Sequence, residues 1–460
     1  MHAALEPRLR APTRCFLGAC RGPPKEFAVS KWLQAAAAVV NLAVLCSMAI
    51  AQPQTTITVA TFPDLDRAAK AALPRWNALH PTVAVKVLSL QYADHHTAMT
   101  AALATGSGLP DVMAIDLRFI AKFAASRGLE ALDAPPYNAT ALRDRFAGYT
   151  FAQATTPQGT LVAMPTDIGP GTLLYRQDLI AKAGLTEADL TRSWDSFIAA
   201  GKTLKARTGA YLLADSADIR DIVLRSGLKD GEGIYFDQQG QVLVESPRFR
   251  RAFELAREAR QAGLDAHATA WTNEWVAGFR QNKVATQMMG AWLAGHLKNW
   301  LAPASAGQWR STTLPGGTWA SYGGSFYAIP KKATHKAEAW EFIRFMTTDR
   351  LTQLGSLHTL DAFPALLEAQ QDPIFDEPIA YLGGQRARQL WREIAGKVPS
   401  IPVHRLDAMA TDVIRFEYEE VVAQGKDIGE ALHDARVLIE RRASRLKSAG
   451  QGHTRQAKGN

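Results

Sequence analysis

The chain has 460 residues, of which 47 % are hydrophobic and 21 % are charged, so it is globular in composition and too long for one ordinary core. Its net charge of +8 resides at the two ends, because residues 1–51 carry +4 and residues 441–460 carry +6. The remaining body is slightly acidic, which gives no support to nucleic-acid binding.

The first 51 residues predict export. Lys31 precedes an apolar run over residues 35–50, and a small-x-small triplet ends at Ala51, as in cleavable signal peptides. We expect cleavage after Ala51 and a periplasmic location, because the run is short for a retained membrane anchor. Residues 1–28 are too long for an n-region, which indicates a mis-annotated extension and a translation start near Val29.

The three cysteines, Cys15, Cys20 and Cys46, all precede residue 52. The body therefore has no disulfide, thiolate metal site or cysteine nucleophile, and it suits an oxidising compartment. Lipidation at Cys46 is an alternative that Leu45 disfavours, since a small residue is expected before a lipidated cysteine.

Strand, helix and strand alternate after the predicted cleavage site, as in a βαβ unit. Residues 57–62 and 83–90 are rich in β-branched side chains, and the segment between them has a helical apolar face that includes Leu65 and Trp76. Pro74 is expected to kink or shorten that helix.

A second helix over residues 94–105 leads to a short strand that ends at Asp116. In an open α/β sheet the ligand crevice lies beyond the carboxyl ends of the strands. This topology places four residues near a ligand: Phe62, Asp64, Asp116 and Arg118.

Residues 161–185 contain a bend rather than an ordinary helix or central strand, because Pro165, Gly169, Pro170 and Gly171 interrupt it. We interpret the bend as the first of three crossings between two lobes. The other two are expected near residues 320 and 365.

Residues 319–349 contain a glycine turn between aromatics, a short apolar strand and a helix with Thr334 as its expected cap. Gly323 and Gly324 have no Cβ, which leaves room for a close approach. The helix has one apolar stripe, formed by Ala339, Phe342, Ile343 and Met346.

Four blocks resemble, in the same order, motifs of the extracellular solute-binding proteins of family 1. These are the carbohydrate-binding components of ABC importers, relatives of the maltose-binding protein. The blocks are LVAMPTDIGPGTLLYRQDLIAKAGL, QNKVATQMMGAW, WASYGGSFYAIPKKATHKAEAWEFIRFMTTD and DAFPA. Asn282 replaces the glycine of the second motif, and Ser196 replaces an acid that usually follows the first.

The resemblance implies an α/β, two-lobed periplasmic binding protein of type II-like architecture, each lobe a sheet flanked by helices, joined by three hinge crossings. The expected N-lobe is 52–165 plus 321–365, and the expected C-lobe is 166–320 plus 366–448. Residues 449–460 are polar and contain glycine, which predicts a disordered tail.

The resemblance also implies a function: binding a mono- or oligosaccharide in the interlobe cleft and delivering it to ABC permease transmembrane subunits with a cytoplasmic ATPase. The protein is expected to be a monomer without cofactor, metal or catalytic activity. Planar acceptors and flat rings suit a sugar. The candidate binding residues are Trp292, Asp116, Asp167, Tyr322, Gly323, Gly324, Arg118, Asp64, Phe62, Trp271 and Phe363.

Each candidate also has a structural interpretation, since an aspartate at a strand end often caps a helix and a tryptophan often lies in a core. The alternative functions are the same fold binding a polyol or glycerophosphodiester, and a secreted carbohydrate-active enzyme. A chemoreceptor role would coexist with transport.

No H-E-x-x-H, G-x-S-x-G or nucleotide-binding glycine motif occurs in the sequence. A carboxylate pair for glycoside hydrolysis has no such motif, because it is defined by the distance between the two side chains in the folded protein. His95 and His96 are adjacent and are expected to be solvated.

Overall fold

The predicted βαβ start of the body is confirmed in the computed structural model. Its elements are β1 (Thr55–Thr61), α1 (Leu65–Leu79), β2 (Val83–Ser89), α2 (Tyr92–Thr105) and β3 (Val112–Asp116). β1 lies between β2 and β3 and is parallel to both. All three strands therefore end at the same edge of the sheet, where Asp116 lies.

The structure describes residues 55–456, with side chains as far as residue 445. The predicted signal peptide and N-terminal extension, 1–51, lie outside these residues. The last helix, α16, runs from Ile428 to Gln456, so residues 449–456 of the expected disordered tail are helical. The rest of that tail lies outside the described part.

Helix α1 continues through Pro74 for another turn, so the expectation that this residue shortens the helix is wrong. Leu65, Ala69 and Trp76 are buried on one face of the helix, whereas Pro74 lies on the exposed face. The carbonyl that loses its partner at a proline can there bind water, and the packed face keeps the helix together.

Strand β4 (Met164–Arg176) overturns the expectation that its prolines and glycines exclude a central strand. It pairs with β5 (Thr286–Gly290), β6 (Trp309–Thr312), β7 (Ser321–Ala328) and β8 (Phe363–Pro364). The register with β7 shifts twice, and these bulges accommodate the prolines that cannot donate to the ladder.

The sheet runs β2-β1-β3-β7-β4-β5, and β6 and β8 also pair with β4. β7 is antiparallel to both of its neighbours, β3 and β4. The three predicted crossings, near residues 165, 320 and 365, consequently lie beside one another where β4, β7 and β8 meet.

Two clusters of buried apolar side chains form the cores, and the first extends past this meeting point to Trp309 and Trp391. The first surrounds β1 and β3, and the second surrounds helices of residues 194–261 and 407–439. Strand β4 contributes side chains to both cores, because Leu174 belongs to the first core and its neighbour Leu173 to the second.

The remaining helices cover the sheet. They are α3 (Leu117–Ala125), α4 (Thr150–Gln153), α5 (Gln177–Lys182), α6 (Glu187–Thr191), α7 (Trp194–Thr208), α8 (Ala217–Arg225), α9 (Pro247–Gln261), α10 (Asn273–Arg280), α11 (Leu293–His296), α12 (Lys336–Thr348), α13 (Arg350–Leu360), α14 (Ala387–Lys397) and α15 (Asp407–Gln424). Within residues 55–456, no helix combines the length and the apolar character that a membrane crossing needs.

Helix α12 buries the predicted stripe of Ala339, Phe342, Ile343 and Met346. Its start differs from the prediction, because the helix begins at Lys336 and the preceding His335, rather than Thr334, occupies the cap position. The backbone N–H of His335 donates to Asp111 Oδ1 at 3.1 Å, which ties the helix start to the sheet.

Candidate functional site

Two tryptophan rings line one side of the region where β4, β5 and β7 meet. Trp292 immediately precedes α11, and its indole Nε1 donates to the Tyr322 carbonyl oxygen at 2.9 Å. The Trp271 ring lies nearly parallel to it, with centroids 6.0 Å apart and planes 19° apart. We call these two rings the tryptophan wall. Trp271 is 54 % exposed, so the wall is accessible from solvent.

Three glycines make room for the Trp292 indole. A Cβ on Gly169, Gly290 or Gly323 would lie 2.9, 2.2 or 3.1 Å from Nε1, which is too close for a rigidly held ring. Gly323 also has φ +82°, a left-handed conformation that disfavours other residues. These glycines form the floor behind the wall, and their spacing fixes the depth at which the indole lies.

Tyr322 contributes its backbone to the wall and its side chain to the surroundings. Its ring centroid lies 6.4 Å from that of Trp292, and the Arg225 guanidinium lies 4.8 Å above the tyrosine ring. Burial raises the pKa of Tyr322, so its hydroxyl is protonated and can donate a hydrogen bond.

Two carboxylates flank Ser325 across three adjacent strands. Asp116 on β3 and Asp167 on β4 are both register partners of Ser325 on β7. Residues directly opposite one another point to the same face of a sheet. We call these three residues the carboxylate row, and it combines two acceptors with a hydroxyl on one face.

Asp116 caps α3, because its carboxylate accepts a hydrogen bond from the Arg118 N–H at 2.8 Å. Burial raises its pKa, while the bond from Arg118 and a hydrogen bond from Tyr92 act in the opposite direction. Asp116 therefore has the structural role of a helix cap, since its carboxylate already accepts a hydrogen bond within the chain.

Asp167 is less fully engaged. Its Oδ1 is buried and accepts no hydrogen bond from any residue that the structure describes. Burial raises its pKa to about 6, hydrogen bonds from Ser325 oppose this shift and the negative charge of Asp116 adds to it. A buried acceptor without a donor is costly, so Asp167 has the capacity to receive a donor from a ligand.

Asp64 lies beside the tryptophan wall. The sequence analysis predicted it near a ligand only from the expected topology of the sheet. Its Oδ2 is 3.8 Å from Nε2 of His296, whose ring stands nearly perpendicular to Trp271 and Trp292 with centroids 5.5 Å from each. The structure thus brings Asp64, Trp271 and Trp292 into one neighbourhood around a histidine that the sequence analysis did not identify.

Comparison with known sequences identifies the family. A sequence model described as bacterial extracellular solute-binding protein matches residues 60–353. The chain belongs to this family.

Two relatives of this solute-binding protein carry named ligands. It is 28 % identical over 379 residues to the lactose-binding protein of Rhizobium radiobacter, covering 79 % of this chain and 87 % of the relative. It is 24 % identical over 285 residues to the arabinooligosaccharide-binding protein of Bacillus subtilis strain 168, covering 59 % of this chain and 64 % of the relative.

Solved structures of similar proteins confirm the predicted fold class. An extracellular solute-binding protein of family 1 superposes with a TM-score of 0.73 at 24 % identity, covering 84 % of this chain and 99 % of the other. The sugar-binding protein MalE of Xanthomonas citri superposes with a TM-score of 0.72 at 19 % identity, covering 86 % and 99 %. The solute-binding protein therefore has the two-lobed fold expected from its sequence.

The expectation that His95 and His96 are solvated is wrong, because each is only 1 % exposed. His96 Nδ1 donates to the Tyr92 carbonyl at 2.7 Å, and its Nε2 accepts the backbone N–H of Asp116 at 3.2 Å. Burial lowers the pKa of His96 to about 4. The histidine is thus a neutral support for the end of β3.

Arg118 is partly engaged elsewhere. Its guanidinium pairs with Asp412 on α15 at 3.0 Å, which links a helix of the first core with a helix of the second.

Gly324, the second glycine of the predicted turn, has φ +129°, and a Cβ there would lie 3.1 Å from the Asp167 carbonyl oxygen. It therefore permits close pairing of β7 with β4.

The two predicted phenylalanines pack inside the protein. Phe62 is 7 % exposed and lies 5.2 Å from the His96 ring. Phe363 is 1 % exposed and packs on Phe375 and Trp391. The contacts that the structure gives these two rings are core contacts.

Among the described residues, no group of three or more His, Cys, Asp or Glu side chains is arranged to hold a metal ion. The sequence analysis did not identify His296, Arg225 or the two floor glycines Gly169 on β4 and Gly290 on β5 as site residues. Gly169 and Gly290 lie within the quoted motifs, whereas nothing in the sequence distinguishes Arg225 from other arginines of the helical region.

Proposed function

We propose that this solute-binding protein is the substrate-binding component of an ABC importer and holds a mono- or oligosaccharide on the tryptophan wall. In this proposal the chain is exported to the periplasm by a signal peptide cleaved after Ala51 and acts as a monomer. It presents the sugar to permease transmembrane subunits that a cytoplasmic ATPase drives. The single observation that carries the proposal is an accessible pair of parallel indoles with the inner one held over glycines.

The wall and the carboxylate row match the two kinds of surface on a sugar. A pyranose ring has apolar C–H patches on its faces, which pack on flat aromatic rings, and hydroxyls at its rim, which donate to carboxylates. Asp167 has an acceptor oxygen without a donor, so a hydroxyl there would satisfy a buried group. The names of the lactose-binding and arabinooligosaccharide-binding relatives support the same ligand class.

The charges of the region favour a neutral ligand over a glycerophosphodiester. Asp218 and Asp221 both act electrostatically on Tyr322, as do Arg220 and Arg225, while Asp116 and Asp167 lie on the row. Arg118 also acts on Asp116, so three arginines stand among four carboxylates. A phosphodiester finds no surplus of cations here, whereas a hydroxyl donor finds acceptors.

The proposed mechanism is binding without chemistry. A sugar enters between the lobes, contacts both, and stabilises the closed arrangement by rotation about the three crossings. Its differential affinity for the closed form supplies the free energy of closure, and the closed form then docks on the permease.

Isothermal titration calorimetry of the exported chain tests the proposal. The panel contains lactose, β-1,6-galactobiose, maltose, arabinotriose, sorbitol and glycerophosphocholine. We expect at least one sugar to bind, and at one hundred times its dissociation constant it should stabilise the fold by about 2.7 kcal/mol. Trp292→Phe retains a ring but loses the bond to Tyr322, so sugar affinity should fall about tenfold or more.

Trp194→Phe is the matched control, because Trp194 opens α7 and packs on Phe197 near the second core. It should leave the affinity unchanged. Binding of sorbitol or glycerophosphocholine alone would overturn the sugar assignment. Cleavage of an oligosaccharide by the purified chain, detected by chromatography, would favour the carbohydrate-active enzyme instead.

A further inference from the structure

His296 has one ring nitrogen engaged and one open. Its Nδ1 accepts the indole N–H of Trp300 at 2.9 Å, and an indole nitrogen can only donate. Nδ1 therefore has no proton, and the neutral ring carries its proton on Nε2. The side chain is 21 % exposed at the edge of the tryptophan wall, so a ligand stacked on the wall can reach Nε2.

Asp64 faces this nitrogen from the start of α1. It occupies the cap position, but its side chain makes no capping hydrogen bond. Its Oδ1 pairs with Arg67 at 3.1 Å, and Oδ2 is directed towards His296. Its φ of +71° with ψ −49° is a sparsely populated conformation that costs a non-glycine residue of order 1–3 kcal/mol, and no cap offsets this cost. Such uncompensated strain is typical of functional positions.

The gap between these two groups has the size of one hydroxyl. The distance from His296 Nε2 to Asp64 Oδ2 is 3.8 Å, which is beyond a direct hydrogen bond. An oxygen about 2.8 Å from each would subtend an angle of about 85°, and opening the pair by about 0.8 Å would bring this to the roughly 109° between a hydroxyl's acceptor and donor directions. It would accept from Nε2–H and donate to Oδ2.

We propose that His296 and Asp64 together bind one ring hydroxyl of the sugar stacked on the tryptophan wall, and that His296 thereby determines which sugars are accepted. The proposal rests on the proposed function and adds a specificity-determining residue to it. Only a group that both accepts and donates satisfies the pair. A deoxy position leaves both unsatisfied, and a carboxylate or phosphate is repelled by Asp64.

The pair also makes binding depend on pH. Burial is the largest effect on the pKa of His296 and lowers it, while Asp64 and Asp361 raise it and Arg67 lowers it further. The net pKa lies below its usual value, so the ring is neutral at pH 7. Protonation in acid removes the acceptor for Trp300 and attracts the ring to Asp64, which closes the gap. Affinity should therefore fall as the pH decreases.

Calorimetry with monodeoxy analogues tests the pair, using whichever of lactose, β-1,6-galactobiose and maltose binds. One analogue should bind the wild type about tenfold more weakly than the parent sugar, and the same analogue and its parent should bind His296→Leu equally. His296→Gln, which retains a donor, should recover part of the discrimination. As the pH decreases below 7, the affinity of the wild type should fall more steeply than that of His296→Leu, because Asp167 titrates in both proteins and His296 only in the wild type.

His433→Leu is the control, because His433 is an exposed histidine that pairs with Glu245 at 3.1 Å on the second core. It should keep the wild-type analogue profile. If no sugar binds the wild type, the proposed function fails and this proposal fails with it. If sugars bind and His296→Leu and His296→Gln both retain the full analogue profile, the function stands and the role of His296 is overturned.

Discussion

The tryptophan wall packs against β4 and β7, which also carry part of the carboxylate row, but the two are held by different forces. The wall is fixed by shape, because glycines leave room for the Trp292 indole and a carbonyl orients it. The row is fixed by charge and hydrogen bonds, and Asp167 keeps a buried oxygen without a donor. The comparison teaches that the two rings of the wall have no ionisable group of their own, whereas the row changes with protonation.

The largest effect is expected from breaking the floor of the wall. A Cβ at Gly169 would lie 1.9 Å from the Tyr322 carbonyl oxygen, so β4 and β7 must separate in Gly169→Ala. We expect a loss of about 3 kcal/mol in unfolding free energy, measured by urea denaturation. Gly148→Ala is the control, since no atom lies within 4 Å of its Cβ. Equal urea midpoints for Gly169→Ala and Gly148→Ala would show that the close approach of β7 to Gly169 does not require a glycine.

The next largest effect is expected from Asp167 in the carboxylate row, through the pH dependence of the unfolding free energy. With a pKa of about 6, folded Asp167 binds its proton more tightly than the unfolded chain, whose aspartates titrate near pH 4. The contribution of Asp167 to the unfolding free energy should therefore fall as the pH rises from about 4 to about 6 and then stay level. Asp167→Asn removes this dependence. It should match the wild type at pH 4 and exceed it by up to about 3 kcal/mol at pH 7.

Thermal and urea unfolding at pH 4, 5, 6 and 7 measure this difference, with the exposed Asp195→Asn as control. A constant offset between Asp167→Asn and the wild type across these pH values would show that the charge of Asp167 is not the cause. Sugar affinity of Asp167→Asn should also fall, because an amide accepts less strongly than a carboxylate.

A smaller effect distinguishes the two carboxylates of the row. Asp116→Ala removes the cap of α3 and should cost about 1 kcal/mol, whereas Asp116→Asn keeps an acceptor and should cost less. Both variants remove the charge that raises the pKa of Asp167, so the pH at which Asp167 titrates should decrease. The unfolding series at the four pH values shows both effects, and an unchanged titration would contradict the coupling.

The smallest effect is expected at Arg118. Its pair with Asp412 is 40 % and 58 % exposed, and exposed pairs contribute little. Arg118→Met should change the unfolding free energy by less than about 1 kcal/mol, with the difference reduced further in high salt. A larger loss in denaturant titration would show that this link between the two cores is more important than its exposure indicates.

The parts of the fold that depend on local pattern were predictable. The apolar stripe of α12, the strands β1 to β3 and the turn at Gly323 each follow from periodicity or backbone geometry within a few residues. Trp292 was identified by a motif resemblance, and the structure places it beside Trp271.

The errors share a physical cause, since each depends on partners distant in the chain. Pro165 and Pro170 are tolerated in β4 because β7 adjusts its register by bulges. His96 is buried because Phe62 and Phe119 pack against it, and helix α2 alone does not indicate which face is covered. His296 acquires its surroundings only when α1 and α11 meet in three dimensions.

The position of β7 between β3 and β4 has a consequence for biosynthesis. Residues 112–116 and 164–176 emerge from the ribosome well before residues 321–328, so two strand edges await a partner while the second core is made. Unpaired edges invite wrong pairing between chains. We therefore expect the nascent protein to need delayed collapse or chaperone binding until β7 has been synthesised.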